Sequence, residues 1–476
     1  MDGVLEAKGF GGPPTVALEF GVAETPPTHS LVTPDGRALQ MVKSQIDTFY
    51  EEGKWDDYKK ITNPYEYVFL SWNRRSSRSV ATRTPLSRSY FKMIEMWRHL
   101  ELDTVLEPLV VANDGALLTA HSAEGPGGFI EACGVAAAKA SWVVGASHAI
   151  TLRSEAKNVP GWRKAARFLD ANPHVKIHDG ADGTGNILVP ENRAAFVASV
   201  RSASPSGVHL YTADGGFDFS NDYDAQEDSV FPLLLAEAIL GLQTLTKGGV
   251  MILKCFDTKE PQTLQLIWLL SRAFRRWCVM KPRTSRAGNA ERYITCSGFL
   301  GSEAVADILT VLEAATTAPV FLKPAVYTCP SWRETMGALG VLQEQIEHME
   351  LSVIQDTLRL LRDADPDVIR LFVRANVMRS LAWCKEHEES QSEIWTSDLE
   401  GSVVRETADL LHILTPPVAH YGGGGASGGG SAAALFVGFR SDVSGVPFPT
   451  NNPFMRMKGT YGRGTFGSPL TPSHII

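Results

Sequence analysis

Two lysines and two acids, spread through 476 residues, are hard to explain as packing alone. Lys254 ends GGVMILKCF, a run whose other residues are nearly all apolar, and a lysine in such a run needs a partner. Asp214 follows the apolar run in GVHLYTADGGFD, at the tip where a strand would end; an isolated Asp-Gly pair would read as a turn. Glu291 is the single acid in KPRTSRAGNAERY, among four cations, and it opens the apolar run ERYITCSGF. Lys92, within SRSYFKMIEMW, would on its own be an exposed helical residue. Converging at one end of a sheet, the four would make a buried ionic cluster in which the acids offset the desolvation of the ammonium groups. Such a set titrates as a coupled unit and can hold and move a proton.

A second kind of signal is HSAEGPGGFIEA, a glycine turn between a predicted strand and a predicted helix. Glycines let backbone approach a ligand closely, and the N–H groups of a helix end point outward. The turn is neither GxGxxG nor a Walker loop, and a tight packing turn is an equal reading of it alone.

The elements that must position these residues alternate. Between 116 and 300, LLTAHSA, SWVVGASHAITL, VKIHDGA, GVHLYTAD, GGVMILKCF and ERYITCSGF are predicted strands. FIEACGVAAAKA, VFPLLLAEAILGLQTLT and TLQLIWLLSRAFRRW are predicted helices. The alternation predicts an α/β fold, a doubly wound sheet covered by helices on both faces. We divide the chain into a flexible Gly/Pro/Thr-rich arm over 1–40, a catalytic domain over 41–300 that begins with a helical segment, a helical extension over 301–412, and a Gly-rich linker and disordered tail over 413–476.

A net charge of -8 argues against a wholesale nucleic-acid coat but leaves room for a local basic groove. Arg74, Arg75, Arg78, Arg83, Arg88 and Lys92 are one basic group, and residues 281–292 are another. Six cysteines without metal-ligand spacing read as buried free thiols of a reducing compartment, and no metal site is expected. The first residues lack the pattern of a secretory leader, and no apolar run reaches membrane-spanning length, so a soluble intracellular protein is expected.

Taken in order, TNPYE, SRSYFKM, EGPGGFIE, DGTGNILVPENRAAF, GVHLYTADGGF, GGVMILKCFD and KPRTSRAGNAERYITCSGF resemble the FtsJ-like ribose 2'-O-methyltransferases over roughly residues 60–300. The closer similarity is to the cap-specific mRNA branch of eukaryotes and large DNA viruses. The resemblance implies a Rossmann-like methyltransferase fold and a catalytic tetrad of Lys92, Asp214, Lys254 and Glu291. It implies S-adenosyl-L-methionine as methyl donor, lying against Glu124, Gly125, Pro126, Gly127, Gly128 and Phe129, with adenine at Asn186 and Ile187. Many relatives carry Asp where Asn186 stands, but an amide oxygen also accepts. Asp224, Arg286, Lys59 and Lys60 are the implied substrate contacts. The Pro that usually follows Ser-Arg in relatives is Ala287 here, which would loosen that loop.

The implied partner is capped mRNA, with room for other capping or transcription proteins. The implied setting is cytoplasmic, at a viral replication site or in a virion, or nuclear. Lys254 is the expected base or orienter of the ribose hydroxyl. Burial and Lys92 would depress its pKa, and the two acids would oppose that. Tyr90, Phe91, Trp97 and Tyr223 could stack on a base, though core packing suits them better. Two alternatives stay open: the same chemistry on ribosomal or transfer RNA, and a non-catalytic RNA-binding or structural subunit.

Overall fold

A computed structural model of the protein describes residues 3–14, 16–22, 30–46, 49, 54–70, 78–154, 161–216 and 226–414. Its strands are β1 (Leu5–Phe10), β2 (Phe20–Val22), β3 (Ala116–Ser122), β4 (Val143–Ile150), β5 (Val175–His178), β6 (Val208–Ala213), β7 (Leu245–Phe256), β8 (Phe274–Lys281), β9 (Glu291–Phe299) and β10 (Val320–Leu322). Eight form one sheet in the order β1-β8-β9-β7-β6-β3-β4-β5, while β2 pairs with β10. From β7 through β5 the neighbours run parallel; β9, β8 and β1 are antiparallel additions at one side.

All six residues of β6 are buried, as a central parallel strand covered on both faces requires. In β7, Met251 and Leu253 enter one hydrophobic cluster and Val250 and Ile252 the other, the period of two expected of a strand between two helix layers. Helices Gln226–Thr244 and Pro261–Ala273 pack in the first cluster, and helices Ser89–His99 and Gly128–Lys139 in the second. The chain runs outward from β3 through β4 to β5, then returns to β6 on the other flank of β3. Ligands of open α/β sheets bind where strand order reverses in this way, beyond the carboxyl ends of the strands.

Three expectations change. The described residues of the 1–40 arm are partly ordered elements: β1 pairs with β8 from Leu5↔Lys281 to Phe10↔Arg276, and helix Pro34–Lys43 is capped by Thr33. The physical reason is the edge of β8, whose backbone groups find partners in β1. The helix expected over 263–277 ends at Ala273, and Phe274 begins β8 without an intervening turn residue, so no breaker marks the switch. Beyond 300, Leu339, Leu342 and Ile346 lie in the first cluster and Ile369, Val373 and Val377 in the second. The helices Pro330–Arg362 and Pro366–Glu386 thus bury apolar surface in the same cores as the sheet. The linker and tail from 415 onward lie outside the described residues. All six cysteines are free and buried. Among the described residues, no helix is long and apolar enough to cross a membrane.

Candidate active site

Asp214 directly follows β6, and Lys254 sits two residues before the end of β7. Glu291 opens β9 opposite Phe256, and Tyr293 stands opposite Lys254. Lys92 reaches in from helix Ser89–His99, nine of whose eleven residues are buried. It is 8% exposed, so the surface reading of its helix does not apply. Its Nζ lies 2.8 Å from Glu291 Oε1 and donates to Glu291 Oε2 at 2.9 Å. Lys254 Nζ donates to the Asp214 carbonyl at 2.7 Å and stands 3.4 Å from Asp214 Oδ1. Four side chains from four distant segments therefore meet.

Tyr293 joins the two ion pairs. Its hydroxyl donates to Asp214 Oδ1 at 2.9 Å and accepts from Lys92 Nζ at 3.3 Å. The sequence held the signal for it: two residues after Glu291 on one strand, it must face the same way. Ser285 donates to Glu291 Oε1 at 2.7 Å. Glu237, buried in helix Gln226–Thr244, brings another carboxyl near Lys254, and nothing in its apolar helix pattern marked it.

Burial raises the pKa of Glu291, but Lys92 and Lys254 more than reverse this and hold the carboxyl far below its usual range. Burial lowers Lys254, yet Asp214, Glu291 and Glu237 outweigh it, so the net shift is upward. Of the opposing influences expected on Lys254, the acids win, because three of them face one ammonium. Glu237 itself is pushed well up by burial, with Lys254 only partly opposing.

A cavity of about 600 Å³ opens at the carboxyl ends of β3, β4, β6 and β7. Lys92, Asp214 and Lys254 line it together with Glu124, Gly125, Pro126, Asn186 and Ile187. Gly127, Gly128 and Phe129 are not in its wall. Gly127, with φ 105°, turns the chain into helix Gly128–Lys139, and Phe129 is fully buried with its ring centroid 5.9 Å from that of Tyr293. The Asn186 amide oxygen accepts from the Leu188 N–H at 3.0 Å, which leaves it one lone pair. Glu124 is 4% exposed; one oxygen accepts from the Thr212 hydroxyl, and Oε2 stands 3.3 Å from His121 Nδ1 without a well-formed hydrogen bond. A buried carboxyl oxygen whose one neighbour, His121 Nδ1, is shared with Thr212 suits, in the wall of this cavity, a ligand that carries an ammonium group.

Of the implied substrate contacts, Lys59 and Arg286 line a second cavity of about 180 Å³ that shares Phe256 with the first. Lys60 lines neither cavity and stands 3.7 Å from Asp57. Asp224 lies outside the described residues, as do Tyr223, Arg74 and Arg75. Arg286 is held by Glu66 through bonds of 3.0 and 2.8 Å, and Arg88 donates to the same carboxylate at 2.9 Å. Glu66 ends TNPYE. Arg78 pairs with Glu406 and Asp409, Arg83 with Glu389, and Arg283 with Glu95 and Glu386. These cations are answered by acids, so the open basic groove expected of them is largely an ion-pair network. The 282–290 loop is likewise not loosened by Ala287, whose N–H donates to Asn63 Oδ1 at 3.2 Å, a bond proline could not make. Tyr90, Phe91 and Trp97 are core residues.

Comparison with known proteins is consistent with this geometry. The model of the family described as FtsJ-like methyltransferase matches residues 85–299. The chain is 39% identical over 134 residues to the "Cap-specific mRNA (nucleoside-2'-O-)-methyltransferase 1" of Xenopus laevis, covering 28% of this chain and 16% of that protein. It is 28% identical over 272 residues to the protein of the same name from Dictyostelium discoideum, covering 55% of this chain and 34% of that one. A "Cap-specific mRNA (nucleoside-2'-O-)-methyltransferase 2" of Danio rerio is 37% identical over 151 residues, 30% of this chain and 20% of that one. The chain thus spans between 16% and 34% of the length of these relatives.

Proposed function

We propose, for a chain whose residues 85–299 are an FtsJ-like methyltransferase domain, that it methylates the ribose 2'-hydroxyl of the first transcribed nucleotides of capped mRNA. The observation that carries this reading is the meeting of Lys92, Asp214, Lys254 and Glu291 beside a cavity whose wall includes Glu124–Pro126 and Asn186–Ile187. S-adenosylmethionine, when bound, supplies a methyl group activated by a sulfonium. Glu124 would hold its amino group, and Asn186 and Ile187 its adenine. The names of the relatives support capped mRNA as the substrate class.

A ribose hydroxyl is a weak nucleophile, so alignment and proton removal are what the protein contributes. Lys254 and Asp214 steer the hydroxyl, while Lys92 and Glu291 fix the pair through Tyr293. Lys254 begins as an ammonium, because its acidic neighbours raise its pKa. To take the hydroxyl proton Lys254 would first have to release one of its own to solvent, a release that positive charge bound beside it would favour. Lys59 and Arg286, in the adjoining cavity, would meet the cap or its phosphates.

The test is incubation of the full chain with capped RNA and donor labelled in the methyl group, followed by nucleoside analysis. Label on the ribose of the first nucleotides is expected. Equal labelling of uncapped transcripts would point to a different RNA class, and absence of ribose label despite donor binding would overturn the reading.

A further inference from the structure

The stretch KPRTSRAGNAERY leaves the sheet at Lys281, the last residue of β8, and re-enters it at Glu291, the first of β9. Lys281 is 3% exposed. Its Nζ donates three hydrogen bonds: to Asn289 O at 2.6 Å, Asn289 Oδ1 at 2.9 Å and Glu291 O at 2.8 Å. All three acceptors are neutral oxygens, so dipoles and not a carboxylate directly meet this buried charge. The bonds cross the mouth of the 282–290 loop and tie its far end to its near end. Between those ends the loop brings Ser285 to Glu291, Arg286 to Glu66, and Ala287 to Asn63.

We infer that Lys281 is a positioning residue, whose ammonium fastens the two ends of the 282–290 loop and so sets Glu291 toward Lys92 and Arg286 toward the second cavity. The identity of the ligand that profits, RNA, rests on the methyltransferase reading.

The closure needs the charged form. An ammonium has three N–H donors, whereas a neutral amine has two and a lone pair that would face a carbonyl oxygen. The charged groups facing Lys281 are Glu291 and Arg292 of β9, Lys92 of helix Ser89–His99 and Glu350 of helix Pro330–Arg362. Burial pulls its pKa down to about 7, with Glu291 and Glu350 opposing and Arg292 and Lys92 assisting. Arg286, Asn289 and Glu350 all line the second cavity. A polyanion entering there adds negative charge near Lys281 and raises its pKa in the complex. RNA binding is then linked to proton uptake. The added affinity is complete below about pH 7 and is lost as pH rises through the higher pKa of the complex.

The experiment measures affinity of the full chain for a short capped RNA at constant ionic strength, from about pH 6 to about pH 9, with S-adenosylhomocysteine binding recorded in parallel. For the unaltered protein a fall of about tenfold is expected, the equivalent of a pKa rise of about one unit on binding. Lys281→Met should show weaker and pH-independent binding. Asn289→Asp puts a carboxylate beside the ammonium and should move the midpoint upward. A Lys281→Met profile that matches the unaltered protein, or an Asn289→Asp midpoint that does not move, overturns the inference. If Lys281→Met does not fold, the Asn289→Asp midpoint decides alone. Failure of the unaltered protein to bind S-adenosylhomocysteine would count against the methyltransferase reading, while the pH profiles would still decide the role of Lys281.

Discussion

Glu124 and Glu291 belong to one site, and 4% and 8% of their surfaces are exposed, yet their pKa values move in opposite directions. Burial raises both. For Glu291, Lys92 and Lys254 overcome it; for Glu124, the opposing His121 and the Thr212 hydroxyl do not, and the net shift is upward. Glu66 and Glu237 repeat the contrast: two guanidiniums hold the first low, and a single more distant lysine fails to hold the second. Burial depth therefore does not set the charge of a carboxyl here; the number and distance of its cations does. On the tetrad side the protein has built permanent ion pairs. On the donor side it has left a carboxyl short of a cation, which the ammonium of a bound ligand would supply.

That contrast can be broken most sharply at Lys254. Lys254→Ala should lower methyl transfer on the order of a thousandfold while S-adenosylhomocysteine binding is kept, because in the proposed reading the donor's amino group meets Glu124. Single-turnover rates and calorimetric titration measure the two sides separately.

Next in size is a pair of neutralisations compared by denaturant unfolding. Glu291→Gln leaves the Lys92 ammonium buried without its counter-charge and should cost about 3 kcal/mol. Glu124→Gln replaces a carboxyl with a raised pKa by a neutral amide and should cost less than about 1 kcal/mol. The pH dependence carries the sign. A lowered carboxyl such as Glu291 contributes stability above its ordinary 4.5 that is lost as pH falls through the depressed folded value. Glu124 does the reverse, its contribution being present below 4.5 and lost as pH rises through its raised value. Acid-limb unfolding should therefore flatten in Glu291→Gln alone. Equal costs and equal slopes for the two variants would dissolve the distinction.

The smallest effect is expected from Ser285→Ala. It removes one hydrogen bond to the Glu291 carboxylate and should lower stability by about 1 kcal/mol, with a modest loss of methyl transfer. Thermal unfolding with and without S-adenosylhomocysteine would detect it.

How much of this was legible beforehand follows from the period of the signals. Six strands and the helix Gln226–Thr244 could be read because apolar alternation and length repeat locally. Lys254 stood out because a charge at the end of an apolar strand is costly unless met, whereas Lys92, on a helix, was marked only by the resemblance. β1 was hidden by its Gly-rich surroundings, and β8 by an uninterrupted apolar run out of the preceding helix. Tyr293 could have been found by counting two residues along β9. Glu237 could not, since one acid in an apolar helix carries no sign of what it faces.

By itself, the order of residues determined the strand–helix alternation and that a lysine ending an apolar strand could not remain unpaired. Only folding in three dimensions decided which acid met which lysine, that Arg88 and Arg286 share Glu66, and that the helices beyond 300 join the central cores. Local periodicity acts over a few neighbours in the chain. Electrostatic pairing depends on through-space distances between segments as much as 331 residues apart, as for Arg78 and Asp409, and it is settled only when those segments pack.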